Sequence, residues 1–299
     1  MPTFTHESLR GLSAFITGGS RGIGLEIACK LAAQGVNVAI AAKTVEPHPK
    51  LEGTIHTAKA AIEGAAQFGA RALALQMDVR EEDQVQAALE ATAEAFGGID
   101  LVINNASAIA LQGTEAMDMK RFDLIQQINT RGTFMVSKLA LPWLKASRHG
   151  HILALAPPLN LAPHWFGPHL GYSLGKYGMS LCILGLAEEL KGAGIAANAL
   201  WPRTLIATAA VSNIVGSEAT FLRSRKSAIM ADAAVEILAR DPRQLTGNFF
   251  IDDDVLSASG VTDFSPYRCD PNGELQLDMF LEPEMPLPQG SDLKGHPHA

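Results

Sequence analysis

The sequence predicts an α/β fold, doubly wound around a mostly parallel seven-stranded sheet in a single domain, with an extended tail at its C-terminal end. Three observations carry this. Short apolar runs alternate with longer amphipathic ones, as strands joined by right-handed helical crossovers require. The short runs are apolar throughout, which suits strands covered on both faces. The first of them runs straight into a glycine-rich turn and then a helix.

Taken in order, residues 12–17 read as a buried strand. Residues 22–34 read as a helix, with Ile23, Ile27 and Leu31 on one face and Gly35 as its stop. A second strand spans 37–42. After a proline-containing loop (46–53), an alanine-rich helix covers 54–68, and a third strand 70–76. Acidic residues mark the first turn of a helix over 81–96, and a fourth strand covers 101–104. A long helix over 120–144, bent near Gly132, leads to a fifth strand at 151–156. A helix over 172–191 leads to a sixth strand at 196–201. Residues 204–226 are irregular, with room for a short helix. A helix over 232–240 and a strand over 248–251 close the pattern. The expected domain is 1–253. Residues 254–299, rich in Pro, Asp and Gly, read as a tail that either packs on the surface or a neighbouring subunit, or ends mobile. The row Asp252-Asp253-Asp254 reads as a solvated strand end.

The 299 residues are 47% hydrophobic and 18% charged, with a net charge of −7, which excludes a disordered chain and a basic nucleic-acid-binding face. Cys29, Cys182 and Cys269 are too few and too scattered for a disulfide framework, so a reducing, cytoplasmic setting is expected. The start of the chain lacks the apolar segment of a secretory signal. The longest apolar run, 179–187, is far short of the roughly 20 residues that span a bilayer, so no membrane insertion is expected. His149 with His151, and His296 with His298, have no further ligands in view, so no metal is expected.

The turn after the first strand reads Thr17-Gly18-Gly19-Ser20-Arg21-Gly22-Ile23-Gly24, spaced G-x-x-x-G-x-G. Glycine suits a backbone that turns sharply and lets a pyrophosphate approach main-chain N–H groups, and the helix N-terminus adds donors and a favourable dipole. The second strand ends at Lys43, where an acidic residue would bind the ribose of NAD. A basic one, with Arg21 assisting, instead suits the 2′-phosphate of NADP. Glu46 keeps NAD open as the alternative.

These residues join a larger set. The glycine loop resembles the coenzyme loop of the short-chain dehydrogenase/reductase family. Asn104-Asn105-Ala106-Ser107 resembles its N-N-A-G segment with Ser107 for the glycine, Asn129 its helix asparagine, and Tyr172-Ser173-Leu174-Gly175-Lys176 its Y-x-x-x-K. The stretches 157–161 and 199–204 are most similar to one branch, the hydroxysteroid dehydrogenase-like 2 proteins and their bacterial relatives. Some of that branch carry a sterol-carrier domain, which this chain is expected to lack. The resemblance implies a Rossmann fold, a nicotinamide coenzyme, a small-molecule alcohol or carbonyl substrate, and a homotetramer or homodimer. In the family the oligomer often packs through the two long helices. The small, apolar face of the second (Gly178, Leu181, Gly185) suits that, and equally suits packing on its own sheet.

By resemblance, Tyr172 exchanges the proton, Lys176 tunes it and binds the nicotinamide ribose, and Asn129 sustains a proton relay. A phenol titrates near 10, and a neighbouring ammonium is expected to lower that. Asp78, with Val79 beside it, resembles the adenine-contacting position, and reads equally well as a helix N-cap. Asn105, Ala106, Pro202 and Thr204 complete the implied coenzyme contacts. Leu205, Ile206 and Val211 would make an apolar substrate lid, and His164, Trp165, Phe166 and His169 either line a pocket or close the loop over the core. One departure matters: where the branch has serine after the fifth strand, this chain has Ala156 followed by Pro157. Loss of one such donor costs roughly 10²–10³ in turnover. Asn160 is the conceivable substitute donor, or else a turn former after Pro157-Pro158.

Overall fold

The computed structural model describes residues 5–47, 52–209 and 218–293. Seven strands form one sheet: β1 (Ser13–Thr17), β2 (Asn37–Ala42), β3 (Ala72–Gln76), β4 (Leu101–Asn104), β5 (His151–Ala154), β6 (Ala196–Trp201) and β7 (Phe249–Ile251). Their order is β3-β2-β1-β4-β5-β6-β7, and every pairing is parallel. Every residue of β1, β4, β5 and β6 is buried, as strands covered on both faces must be.

The connections carry helices α1 (Gly22–Ala33), α2 (Ile55–Ala65), α3 (Glu82–Phe96), α4 (Met119–Gln126), α5 (Gly132–Ala146), α6 (Leu170–Leu190), α7 (Glu218–Leu222), α8 (Ala228–Leu238) and α9 (Asp252–Ala258). Successive strand side chains point to opposite faces, so β1 feeds two cores. Ile16 packs with Leu31, Ile62 and Ile229 of α1, α2 and α8. Phe15 packs with Val85, Val136 and Ile183 of α3, α5 and α6. The chain leaves β1 toward β2 and β3, then returns to β4 on the other side. That reversal opens a crevice at the carboxyl ends of β1 and β4, where α/β sheets bind ligands.

Three elements differ from expectation. The long helix is two, α4 and α5, joined by a π-helical turn over Gln127–Arg131 rather than bent at Gly132. The turn buries Asn129 completely. Helix α8 begins at Ala228, not Asp232: Asp232 does not mark a helix start, because its buried carboxylate pairs with Lys30 (2.7 Å) and accepts from the Tyr267 hydroxyl (2.8 Å).

The third is the C-terminal region. The expected break at residue 254 falls inside α9, and Phe264, Tyr267, Phe280 and Leu281 beyond it are buried. Asp252 and Asp253 are fully buried, not solvated. Arg203 at the end of β6 donates from Nε to Asp253 (2.6 Å) and pairs with Asp254 (2.7 Å). Arg225 bridges Asp253 (3.0 Å) and Asp292 (2.6 Å), which Arg268 also holds (2.6 Å). The acidic row is therefore a socket for two buried arginines that stand far from it in sequence.

Candidate active site

The glycine turn is held by its neighbour across the crevice. Thr17 Oγ1 accepts from the N–H groups of Asn105 and Ala106, both at 3.1 Å, and Asn105 Nδ2 donates to the carbonyls of Thr17 and Gly18, both at 2.9 Å. Gly18 has φ +68°, and a Cβ there would stand 2.9 Å from Asn105 Nδ2; at Gly24 it would stand 2.5 Å from the same atom. Only glycine permits that approach. Thr17 and Gly24 thus build the turn, while Gly18, Ser20, Arg21, Gly22 and Ile23 line a cleft of about 540 Å³. Arg21 donates to the Gly53 carbonyl (2.7 Å), and its buried Nε has no partner among the described residues. A bare backbone cradle at a helix N-terminus with an unsatisfied guanidinium nitrogen fits a dinucleotide phosphate.

The same cleft is lined by Lys43, Asp78, Val79, Asn105 and Ala106. Lys43 Nζ stands 2.9 Å from Asp78 Oδ2, and the Arg80 guanidinium holds the same oxygen at 2.6 Å. Arg80 foremost, with Lys43, holds the Asp78 carboxyl well below the usual range. Asp78 is not an N-cap: Glu81 precedes α3, and Asp78 caps no helix but ties Arg80 and Lys43 to the floor.

Tyr172 and Lys176, one turn apart near the start of α6, both line the cleft and are nearly inaccessible. Lys176 Nζ donates to the Leu155 carbonyl (2.8 Å) and lies 5.1 Å from the centre of the Trp201 ring. Burial pulls its ammonium down to about 8, against the opposing pull of the Asp278 carboxylate. The Tyr172 phenol is not lowered as expected. Burial raises it, and the charge of Asp278 raises it further. Asn129 Oδ1 accepts from the Ala108 N–H (2.7 Å) and Nδ2 donates to the Ala108 carbonyl (3.1 Å). Its side chain pins the loop after β4. The small face of α6 is used within the chain only in part: a Cβ at Gly178 would meet Thr130, while a Cβ at Gly185 would meet nothing and Leu181 is exposed.

Two expected residues lie elsewhere. Asn160 Nδ2 donates to Glu282 (2.7 Å) and Oδ1 accepts from the Ala162 N–H (3.0 Å), an Asx turn, so its amide is spent away from the cleft. Thr204 is fully buried and bridges Leu277, leaving Pro202, Leu205 and Ile206 at the cleft wall. Val211, in the expected lid, and His296 and His298 lie outside the described residues.

Another part of the cleft wall comes from the C-terminal segment. The Leu205 N–H donates to the Gln276 carbonyl, the Asp278 N–H to that of Arg203, and Trp201 Nε1 to that of Met279, each at 2.9 Å. Phe280 then turns sharply, with φ +72°, into an aromatic cluster with Trp165, Tyr172, Tyr177 and Trp201. Such a conformation costs a phenylalanine about 1–2 kcal/mol, offset here by full burial. Beside it, Asp278 and Met279 enter the cleft. A second pocket of about 290 Å³ shares Leu111, Leu205 and Met279 with the cleft and is walled by Trp165, His164 and His169, while Phe166 stacks on Tyr177 instead. Asp278 carries no local motif. Its one sequence hint is the apolar island Met279-Phe280-Leu281 in an otherwise polar stretch.

This fold and cleft define a Rossmann-type dinucleotide-binding protein. A family model described as short chain dehydrogenase matches residues 13–218. Hydroxysteroid dehydrogenase-like protein 2 of Danio rerio is 53% identical over 274 residues, 92% of this chain, and the chain spans 65% of that protein's length. A solved short chain dehydrogenase from Mycobacterium thermoresistibile superposes with TM-score 0.86 at 51% identity, covering 92% of this chain and 96% of that one. One from Burkholderia cenocepacia in complex with NADP gives 0.69 at 26% identity, over 82% and 97%. The chain belongs to the short-chain dehydrogenase family. Among the described residues no helix is long and apolar enough to cross a membrane.

Proposed function

We propose that the protein is an oxidoreductase interconverting an alcohol and a carbonyl, with NADP as coenzyme and a lipophilic small molecule as substrate. The observation that carries this reading is the convergence of Tyr172 and Lys176 with the glycine turn on one cleft. A bound nicotinamide supplies or accepts the hydride. The chain's own residues handle the proton and the placement. Tyr172 gives its phenolic proton to the substrate oxygen in reduction and, as phenolate, takes it back in oxidation. Lys176, one helical turn from Tyr172 in the same cleft, holds the ribose. Asn129 positions the loop after β4 through Ala108. Gly18, Ser20, Arg21, Gly22 and Ile23 take the pyrophosphate, Lys43 the 2′-phosphate, and Asp78 and Val79 the adenosine end.

The apolar second pocket supports a lipophilic substrate. Exposed Leu174, Leu181 and Leu184 on α6, with Phe134 on α5, support a homodimer or homotetramer through these helices. We place the protein in the cytoplasm. One observation favours a second reading, a coenzyme-binding protein with little turnover: Ala156 is buried at the end of β5 with no hydroxyl to offer.

The test is coenzyme binding followed by fluorescence, then turnover on a panel of aldehydes, ketones and alcohols. NADPH is expected to bind more tightly than NADH, with turnover that Tyr172→Phe removes. Binding without turnover across the panel, unchanged in Tyr172→Phe, gives the protein to the second reading.

A further inference from the structure

The described part of the C-terminal segment lies beyond residue 218, where the family match ends, yet it delivers a carboxyl group into the cleft. Asp278 is placed there by backbone: its N–H donates to the Arg203 carbonyl (2.9 Å), beside the bridge between Thr204 and Leu277. Its Oδ1 accepts from the Met279 N–H (2.7 Å), and among the described residues its second oxygen makes no hydrogen bond. The segment is anchored on both sides, by Trp201 on Met279 and by Asn160 and Trp165 on Glu282. The turn at Phe280, two residues after Asp278, holds strained backbone at φ +72°. Asp278 lines the same cleft as Tyr172 and Lys176. Ala156, two residues beyond β5, is buried in the core and offers only a methyl group.

We propose that Asp278 is a third catalytic group, a carboxylic acid that donates a hydrogen bond to the substrate oxygen and so does the work a hydroxyl at position 156 would do. This rests on the reading of the protein as a carbonyl-reducing enzyme. The groups that act on Asp278 are consistent with it. Burial is the leading influence and lifts the carboxyl to about 7; buried Asp252 at the head of α9 adds to the lift, while the Met279 N–H and Lys176 on α6 counter it. The acid form is therefore available at neutral pH. As a neutral donor it stabilises the charge that gathers on the oxygen while Tyr172 delivers the proton.

The experiment compares Asp278→Ala, Asp278→Asn and Tyr172→Phe with the unaltered protein on the best carbonyl of the panel, with NADPH affinity and Tm measured for each. Asparagine keeps the Oδ1 acceptor for Met279 and presents an amide donor at the free position. Asp278→Ala is expected to lower kcat/KM about 10²-fold at unchanged NADPH affinity, and Asp278→Asn to restore it to within about tenfold. In the unaltered protein kcat/KM for reduction falls as pH rises through about 7, and Asp278→Asn lacks that limb, keeping only the fall near 8 that belongs to Lys176. An infrared carboxyl band present at pH 6 and missing from Asp278→Asn reports the acid form without any turnover. Full activity in Asp278→Ala with Tyr172→Phe inactive overturns the proposal and leaves the enzyme reading standing. Equal losses in both Asp278 variants, accompanied by a lowered Tm, make the residue a structural seat and also overturn it. No turnover in any protein, Tyr172→Phe included, sinks the enzyme reading, and the proposal with it.

Discussion

The glycine-turn wall of the cleft is backbone, exposed by the absence of side chains and stapled by Thr17 and Asn105 to the neighbouring strand end. The wall from residues 275–282 is side chains: an aromatic cluster around Phe280, a carboxyl group and a methionine, anchored by Trp201 on Met279 and by Asn160 and Trp165 on Glu282. The difference separates two kinds of sensitivity. Backbone cradles bind what every dinucleotide shares, so changes there act on coenzyme affinity. A side-chain wall selects what it touches and carries folding energy, so changes there act on stability and substrate together.

Tyr172 stands where the walls meet and carries the largest expected effect. Tyr172→Phe should lower turnover by about 10²–10⁴-fold, with NADPH affinity and Tm close to unchanged, measured by steady-state kinetics and fluorescence titration. A variant that kept full turnover would separate the phenol from the chemistry. The side-chain wall is probed next by Phe280→Ala. Removing a fully buried aromatic side chain should cost about 3–5 kcal/mol in denaturant unfolding, as much as a loss in the central sheet core. A cost below about 1 kcal/mol would return this segment to the surface and dissolve the comparison.

The same contrast explains what was legible in the sequence. The backbone wall announces itself locally: glycine spacing, a strand before, a helix after, and Tyr172 and Lys176 at a helical interval. The side-chain wall is made by partners such as Trp201 with Met279, Thr204 with Leu277 and Asn160 with Glu282, which come together only through the fold. An acidic row reads as solvated until its arginines are found, and an aspartate in a polar stretch reads as surface until the turn at Phe280 carries it inward. Asn160 errs the other way. Its sequence distance from Tyr172 suggested a donor, but nothing local reveals that Glu282 takes its amide. The π turn is equally silent, because 3.6-residue periodicity continues through both helices it separates.

On the coenzyme wall a smaller effect is expected. Lys43→Ala should weaken NADPH binding about tenfold while leaving NADH within about twofold, the loss of one charge–phosphate contact at a partly exposed position. Equal weakening of both would remove the 2′-phosphate from its role. The Lys43–Asp78 pair also has a pH signature. The Asp78 carboxyl is held below its ordinary value, so the pairing adds stability above about pH 4 and loses it as pH falls. The pair is partly exposed, so the stability difference between Lys43→Ala and the unaltered protein should be about 1 kcal/mol or less near neutrality and should shrink in acid.

The smallest expected change sharpens the division of labour between the walls. Ala156→Ser places a hydroxyl two residues beyond the end of β5, at a buried position. If that position were simply a missing donor, the serine would raise kcat/KM by roughly 10²–10³. With the carboxyl of Asp278 already donating to the same oxygen, a second donor finds a charge partly stabilised, and the gain should stay below about tenfold. In an Asp278→Ala background the same serine should recover most of what the alanine removed. The two changes are then non-additive in a double-mutant cycle, because both supply one interaction. Additive effects, with the full gain in both backgrounds, would show that the hydroxyl and the carboxyl serve different atoms.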